Sequence, residues 1–447
     1  MPASFVSDDA PNLRRRDFLL SVGAAGAAGI LGLSAEPLYA AEKTASKARI
    51  VIVGAGAAGL STASRLLQRL DGAEITLIDS RAEHYYQPGF TLVAAGIKSK
   101  DYVISRTSDY LPKGASLISS SVAEFDPDAK AVVTDKGQRV SYDYLIVATG
   151  LSLEYGLIDG MDTSMIGRNG MGSIYHSPEA AAATWQALTG FMEQGGTGLF
   201  LRPATEMKCA GAPLKYAFIT DDRLRRNGTR DKARLIYKAQ NQTLFSVPIV
   251  SEKVRMLFLD RGIDVHYDRV LISIDLGKRV ATFQTPEGME TESYDFINVV
   301  PPMHAPKSVK ESPLSWKTGQ WATEGWVEVD KATLRHPRYP EVFAVGDVAG
   351  VSKGKTAASV KWQVPVIVDH LLADIRGKTS DAIYNGYTSC PLITRLGRAM
   401  LVEFDYDNNL VPSFPGIIAP LEELWATWVI KTMGLKPTYL SMLRGRA

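Results

Sequence analysis

The apolar positions along this chain change period in a telling order. Ile50-Val51-Ile52-Val53 is a continuous apolar run ended by glycine, which predicts a short buried strand. Over residues 60–70 the apolar positions recur at helical spacing, and residues 73–78 return to a short strand. Gly54-Ala55-Gly56-Ala57-Ala58-Gly59 joins the first strand to the helix, and Asp79 closes the second strand. Strand, glycine turn, helix, strand and acid, in that register, is how a dinucleotide fold builds its ligand crevice. Gly54 makes the tight turn, Gly56 lets backbone N–H groups approach a pyrophosphate, and Gly59 lets helix and strand pack closely, with Ala58 in the same turn. Asp79 stands where a carboxylate accepts from a ribose hydroxyl.

The rest of the chain fits around that unit. Residues 42–48 read as a polar linker, and Glu83-His84-Tyr85-Tyr86-Gln87-Pro88-Gly89 as an aromatic loop at the ligand edge of the sheet. Residues 117–125, 131–135 and 139–142 predict a small β-meander. A buried strand at 142–147 then returns the chain to the crevice through Ala148-Thr149-Gly150. A second strand–helix unit follows from Gly198, but residues 202–213 hold Pro203, Met207 and Pro213 where a second glycine turn would cradle a nicotinamide nucleotide. The next strand, 233–237, offers no ribose-binding carboxylate, and a helix at 251–261 and strands at 264–267 and 294–300 complete the unit. Strands at 327–330 and 342–345 re-enter the first unit, the latter running into Gly346-Asp347, and residues 354–375 read as a helix with Pro365 as a kink. The expected class is α/β with two Rossmann-like domains, one over 49–150 and 327–376 and the other over 151–326, followed by a C-terminal region, 377–447. The candidate cofactor-binding residues are Gly54, Gly56, Ala58, Gly59, Asp79, Ser80, Gln87, Val122, Ala148, Thr149, Gly150, Gly346, Asp347 and Lys361.

Composition narrows the partners. With 447 residues two or three domains are expected. A net charge of +2 without a long basic run argues against nucleic acid, and six scattered histidines with two cysteines give no ligand spacing, so no metal is expected. The N-terminus carries Arg14-Arg15-Arg16-Asp17-Phe18-Leu19 before an Ala/Gly-rich apolar run too short and too weakly hydrophobic for a membrane span. Residues 1–41 resemble a twin-arginine export signal, a route that carries folded proteins. The cleavage site near Ala40 or Ala41 is poor, which leaves an uncleaved anchor open.

The two cysteines support two readings. Cys209 lies in the degenerate nucleotide turn and Cys390 in Tyr387-Thr388-Ser389-Cys390-Pro391-Leu392. In an exported protein such a pair can be a structural disulfide, and closing so long a loop favours it entropically. It can equally be redox-active, since Cys209 stands where the lost cofactor would have presented its hydride and follows Lys208, whose charge favours a thiolate. Lys208 and Glu206 are the candidate tuning residues.

From residue 49 onward the chain resembles the sulfide:quinone oxidoreductases, two-domain flavoproteins of the glutathione-reductase-like kind. The resemblance rests on the glycine turn with Asp79, Tyr85-Tyr86-Gln87-Pro88-Gly89, Ala148-Thr149-Gly150, Lys208-Cys209-Ala210-Gly211-Ala212-Pro213, Gly346-Asp347, and Gly386-Tyr387-Thr388-Ser389-Cys390-Pro391-Leu392. The cysteine motifs are most similar to the two-cysteine branch. The resemblance implies FAD, sulfide and quinone: hydrosulfide opens a Cys209–Cys390 bridge, a persulfide stays on Cys390, and two electrons pass to FAD and on to quinone. With no third cysteine, non-covalent FAD and a small sulfur acceptor are expected. It implies the outer face of a bacterial cytoplasmic membrane when joined to the export signal.

The C-terminus adds a membrane reading. Leu421, Leu424, Trp425, Trp428 and Val429 share a helical face, Met433, Leu435, Tyr439, Leu440, Met442 and Leu443 follow, and Lys431, Lys436, Arg444 and Arg446 supply positive charge. That pattern predicts an amphipathic segment at the bilayer interface, with a core or dimer contact as the alternative; Phe404 and Tyr406 are candidate quinone-stacking rings, core packing being the favoured reading for either. The oligomeric state, including a homo-oligomer, stays open. The rival functions are the flavoprotein subunit of a flavocytochrome c sulfide dehydrogenase, a type II NADH:quinone oxidoreductase, which the missing second glycine turn disfavours, and a non-catalytic flavin-binding interaction protein.

Overall fold

A computed structural model describes residues 43–447, and the expected export signal lies outside them. Five parallel strands form the first sheet in the order Val342–Ala344, Tyr144–Val147, Arg49–Val53, Glu74–Ile78, Ala115–Ile118. Val147 pairs with both Val53 and Ala344, so these three strands end in register. That alignment brings the Gly54 turn, Ala148-Thr149-Gly150 and Gly346-Asp347 to one carboxyl edge. The central strand is buried from Ile50 to Val53, which explains its unbroken apolar run.

Several boundaries differ from expectation for local reasons. Ala115–Ile118 belongs to the main sheet, paired parallel with Ile75 to Ile78, and only Val122–Asp126, Ala131–Thr134 and Arg139–Ser141 make the antiparallel meander. A short apolar strand carries no mark of which sheet it will join. The expected linker holds Thr44–Ala45, paired parallel with Leu70–Asp71. The expected strand at 327–330 makes only isolated bridges, from Val327 to Ser315 and Ala349. The late helix starts at Ala357, because Thr356 is its N-cap and accepts from Ser359 N at 3.0 Å; Pro365 lies within it.

The second sheet runs Met171–Gly172, Phe296–Asn298, Gly196–Leu201, Ala233–Lys238, Ile263–His266, all parallel. The Cys209 turn leaves its central strand and enters the helix Ala212–Asn227. Against that helix packs the hairpin of Thr388–Arg395 and Arg398–Phe404, which carries Cys390 opposite Val402.

The C-terminal helices depart furthest from expectation. Trp425–Val429, a π-helical turn at Ile430–Gly434, and Leu435–Leu443 follow one another directly. Pro437 has no N–H to give the carbonyl four residues back and its ring crowds that carbonyl, so the helix widens one turn earlier. Tyr439, Met442 and Leu443 are buried, Ser64 Oγ donates to the Leu443 carbonyl at 2.7 Å, and Tyr439 is bonded to His84 at 2.8 Å. Much of the stripe expected to meet a bilayer therefore packs on the first domain, and Lys431 is buried rather than on a charged outer face. Met433 and Ile417 remain exposed. Among the described residues no helix is long and apolar enough to cross a membrane.

Candidate active site

One cavity joins the glycine turn to both cysteines. Gly56, Ala58, Asp79, Gln87, Ala148, Thr149, Gly150, Lys208, Cys209, Gly346, Asp347, Lys361 and Cys390 all line it. Gly54 and Gly59 shape it from behind. Gly54 has a φ of +106°, and a Cβ there would stand 2.3 Å from the Ala148 carbonyl oxygen; one on Gly59 would stand 1.8 Å from the Gly54 oxygen. Ser80 is exposed and bonded to Ser121, Val122 is buried in the meander, and Glu206 is exposed; none of the three lines the cavity.

The residues present fit FAD. A Cβ on Gly56 would meet nothing within 4 Å, so the backbone is open to a close-lying phosphate. The helix Ala57–Arg69 has no side-chain cap, leaving its first N–H groups for an anion. Asp79 accepts from Ala55 N at 2.7 Å and Arg81 N at 2.9 Å, which fixes its carboxylate beside the turn. Thr149 Oγ1 is buried with no hydrogen-bond partner among the described residues, and its residue lines the cavity. Burial raises the Asp347 carboxyl above the usual range, against the pull of Lys208 and Lys355.

The cysteine pair is built by three elements. Cys209 sits at φ +47°, a left-handed conformation costly for a residue with a side chain. Its backbone is held on both sides: the N–H donates to the Lys355 carbonyl at 3.1 Å, and the carbonyl accepts from Tyr175 OH at 3.0 Å and Ala212 N at 2.8 Å. Across from it, Cys390 comes in on the hairpin, and the two free thiols line the same cavity. Interaction with Cys390, together with Lys215 and Lys431, holds the Cys209 thiol well below its ordinary range despite burial, while interaction with Cys209 and burial push Cys390 up. One thiolate, on Cys209, is the state this pair favours.

The ammonium group that touches it was not the expected one. Lys208 Nζ donates to Gln87 Oε1 at 2.7 Å, away from the thiol, whereas Lys215 Nζ reaches Cys209 Sγ at 3.4 Å. Lys215 is 2% exposed; desolvation opposes its charge, but the thiol pair outweighs it and the net shift is upward. Lys431 points inward from the π-helical turn, donating to the Pro88 carbonyl at 2.8 Å, and burial with the repulsion of Lys215 brings it down to about 7. The signal for Lys215 was present: a lysine inside Pro213-Leu214-Lys215-Tyr216-Ala217-Phe218 falls on a face too apolar for a solvated charge.

Gly211 sets the approach of the two sulfurs. A Cβ there would lie 2.3 Å from Cys390 Sγ, although its φ of −81° suits any residue. Gly211→Ala is therefore expected to swing Cys390 away from Cys209 and slow sulfide-driven flavin reduction about 10- to 100-fold, with FAD content unchanged, as read by stopped-flow absorbance.

Among the described residues, His266, Glu290 and Glu292 form a group of potential metal ligands. Lys238 Nζ already sits among them, 3.0 Å from His266 Nδ1 and 2.8 Å from Glu290, and bonded to Glu292. Phe404 and Tyr406 pack against Phe245 and Tyr384, the core packing favoured over quinone stacking for both, and do not line the cavity.

Comparison with known proteins gives the family. The pyridine nucleotide-disulphide oxidoreductase family matches residues 48–185. The mitochondrial sulfide:quinone oxidoreductase of Dictyostelium discoideum is 38% identical over 368 residues, 82% of this chain and 80% of that one. That of Mus musculus is 35% identical over 373 residues, again 82% and 80%. The chain belongs to the sulfide:quinone oxidoreductase family. The solved sulfide:quinone oxidoreductase of Aquifex aeolicus has the same fold, with a TM-score of 0.73 at 21% identity over 89% of this chain and 92% of that one. In this member of the sulfide:quinone oxidoreductase family a turn built around Cys209 enters the helix Ala212–Asn227 where a second glycine cradle would stand.

Proposed function

We propose that this protein oxidises sulfide through the Cys209–Cys390 pair and FAD and reduces quinone. The observation that carries the reading is the convergence of two free thiols, one of them 3.4 Å from the Lys215 ammonium, in the cavity that the glycine turn opens into. In the oxidised enzyme the two sulfurs are bridged. Hydrosulfide attacks Cys390 Sγ, the bridge breaks, Cys390 becomes a persulfide and Cys209 leaves as a thiolate, the form Lys215 and Lys431 favour. A small nucleophilic acceptor takes the outer sulfur and leaves a Cys390 thiolate. Bound FAD would supply the two-electron exchange between the re-forming sulfur bridge and quinone. The sum per turn is one hydrosulfide and one acceptor anion converted to a sulfurated acceptor anion, a proton and two electrons.

With both cysteines in the bridge, FAD is held without a covalent link. Family membership does not favour a cytochrome as electron acceptor. Exposed Met433, Ile417 and half-exposed Trp362 support peripheral contact with a membrane, and Arg14-Arg15-Arg16 supports export to the periplasmic face of a bacterial cytoplasmic membrane. The test is direct. Sulfide should bleach the flavin absorbance of the purified holoprotein and a short-chain quinone should restore it; bleaching by NADH and not by sulfide would overturn the reading.

A further inference from the structure

The Cys390 hairpin has a second face. In the antiparallel register Cys390 lies opposite Val402, and Ser389 opposite Glu403, so cysteine and glutamate point to opposite sides of the hairpin. Tyr387, Ser389, Leu401 and Glu403 share the side away from the sulfur pair and line the same cavity, together with Trp362 and Phe414. Glu403 is 3% exposed. Its carboxylate accepts from Tyr387 OH, from Ser413 Oγ at 2.5 Å and from Ser413 N at 2.8 Å, and Ser413 itself is exposed. An acid in this setting is costly to bury. Nothing in the sulfur chemistry uses it. What it makes is a continuous hydrogen-bonded line from solvent at Ser413, through Glu403, to a phenol in the cavity beside the Trp362 ring, whose centroid is 5.2 Å from that of Tyr387.

We infer that Ser413, Glu403 and Tyr387 form the proton-delivery path for quinone reduction. This rests on the quinone reaction proposed above and assigns residues to it. A quinone becomes a quinol by taking two electrons and two protons, one on each oxygen. Bound FAD would supply the electron pair with one proton; the other has to be delivered from solvent. A proton arriving past Ser413 neutralises the Glu403 carboxylate. The carboxyl O–H then donates to the Tyr387 oxygen, turning the phenol hydrogen toward the cavity and a quinone oxygen. When the phenol proton moves to the quinone, the Glu403 proton moves to the phenol, and the carboxylate again accepts from Tyr387 and Ser413. The Trp362 and Phe414 rings flank the place where the quinone ring would lie.

The test uses the FAD-loaded protein with Glu403→Gln and Tyr387→Phe. Each variant keeps the size of its side chain but cannot pass a proton. Bleaching of the flavin by sulfide should proceed within about twofold of the unaltered protein. Reoxidation at saturating short-chain quinone should fall about 10- to 100-fold, while reoxidation by ferricyanide, which takes electrons without protons, should be unchanged. Titration of the tryptophan fluorescence with the same quinone should give a Kd within about twofold in each variant, showing that binding survives. Unchanged quinone reoxidation in both variants overturns the inference, and so does an equal loss with ferricyanide. Failure of sulfide to bleach the unaltered protein would instead overturn the proposed function.

Discussion

Cys209→Ser is expected to lower sulfide-driven bleaching of the flavin on the order of 10³-fold or more, and Cys390→Ser to do the same. The two sulfurs act as one unit, so losing either should cost nearly as much as losing both. Serine keeps the size of the side chain but neither forms the bridge nor leaves as a stable anion at neutral pH. Stopped-flow absorbance with excess sulfide reads the loss, and chemical reduction by dithionite at the normal rate would show that FAD is still bound. The backbone contacts that hold Cys209 at φ +47° involve no sulfur, so the serine variant should keep its fold. Reduction of the flavin by sulfide at near-normal speed in Cys390→Ser would remove the bridge from the mechanism.

Lys215→Met carries the second large effect. The Lys215 ammonium touches Cys209 Sγ at 3.4 Å in a buried site, and a charge-assisted hydrogen bond of that kind contributes about 1.5–3 kcal/mol. Its positive charge favours the thiolate, so its removal raises the Cys209 thiol, and the pH profile of alkylation by iodoacetamide should move upward by about one to two pH units. At neutral pH sulfide turnover should fall about 10- to 100-fold. Lys431 limits the damage. Lys215 is one of the causes that bring Lys431 down to about 7; without that repulsion Lys431 stays protonated to higher pH and takes over part of the stabilisation. The double variant Lys215→Met/Lys431→Met should therefore lose more than the sum of the two single losses in free energy, and an additive result would show that the two lysines act independently.

The first domain was legible because each of its signals constrains backbone: the Gly54 turn, the buried strand and Asp79 can be read from steric need alone. Both cysteines were legible for the opposite reason, being the only two in the chain. The residues that tune them were not. Lys208 is adjacent in sequence but faces Gln87, while Lys215, one helical turn into Ala212–Asn227, faces the thiol. Which side of a turn a side chain takes depends on the φ of Cys209, and a left-handed cysteine is not predictable from residue type. Lys431 was misread as an outer charge because a helical wheel assumes 3.6 residues per turn; the wider turn ahead of Pro437 shifts the faces. Glu403 was hidden because its partners, Tyr387 and Ser413, come from different segments and meet only in the folded hairpin.

The first sheet takes its final strand, Val342–Ala344, only after the whole second domain has intervened, and Gly346-Asp347 follows directly on it. During translation, then, the nascent N-terminal half emerges with Tyr144–Val147 as an unpaired apolar edge and an incomplete flavin crevice. Cofactor capture has to wait until most of the polypeptide has left the ribosome, and until then that half is the part of the molecule that most needs shielding by chaperones.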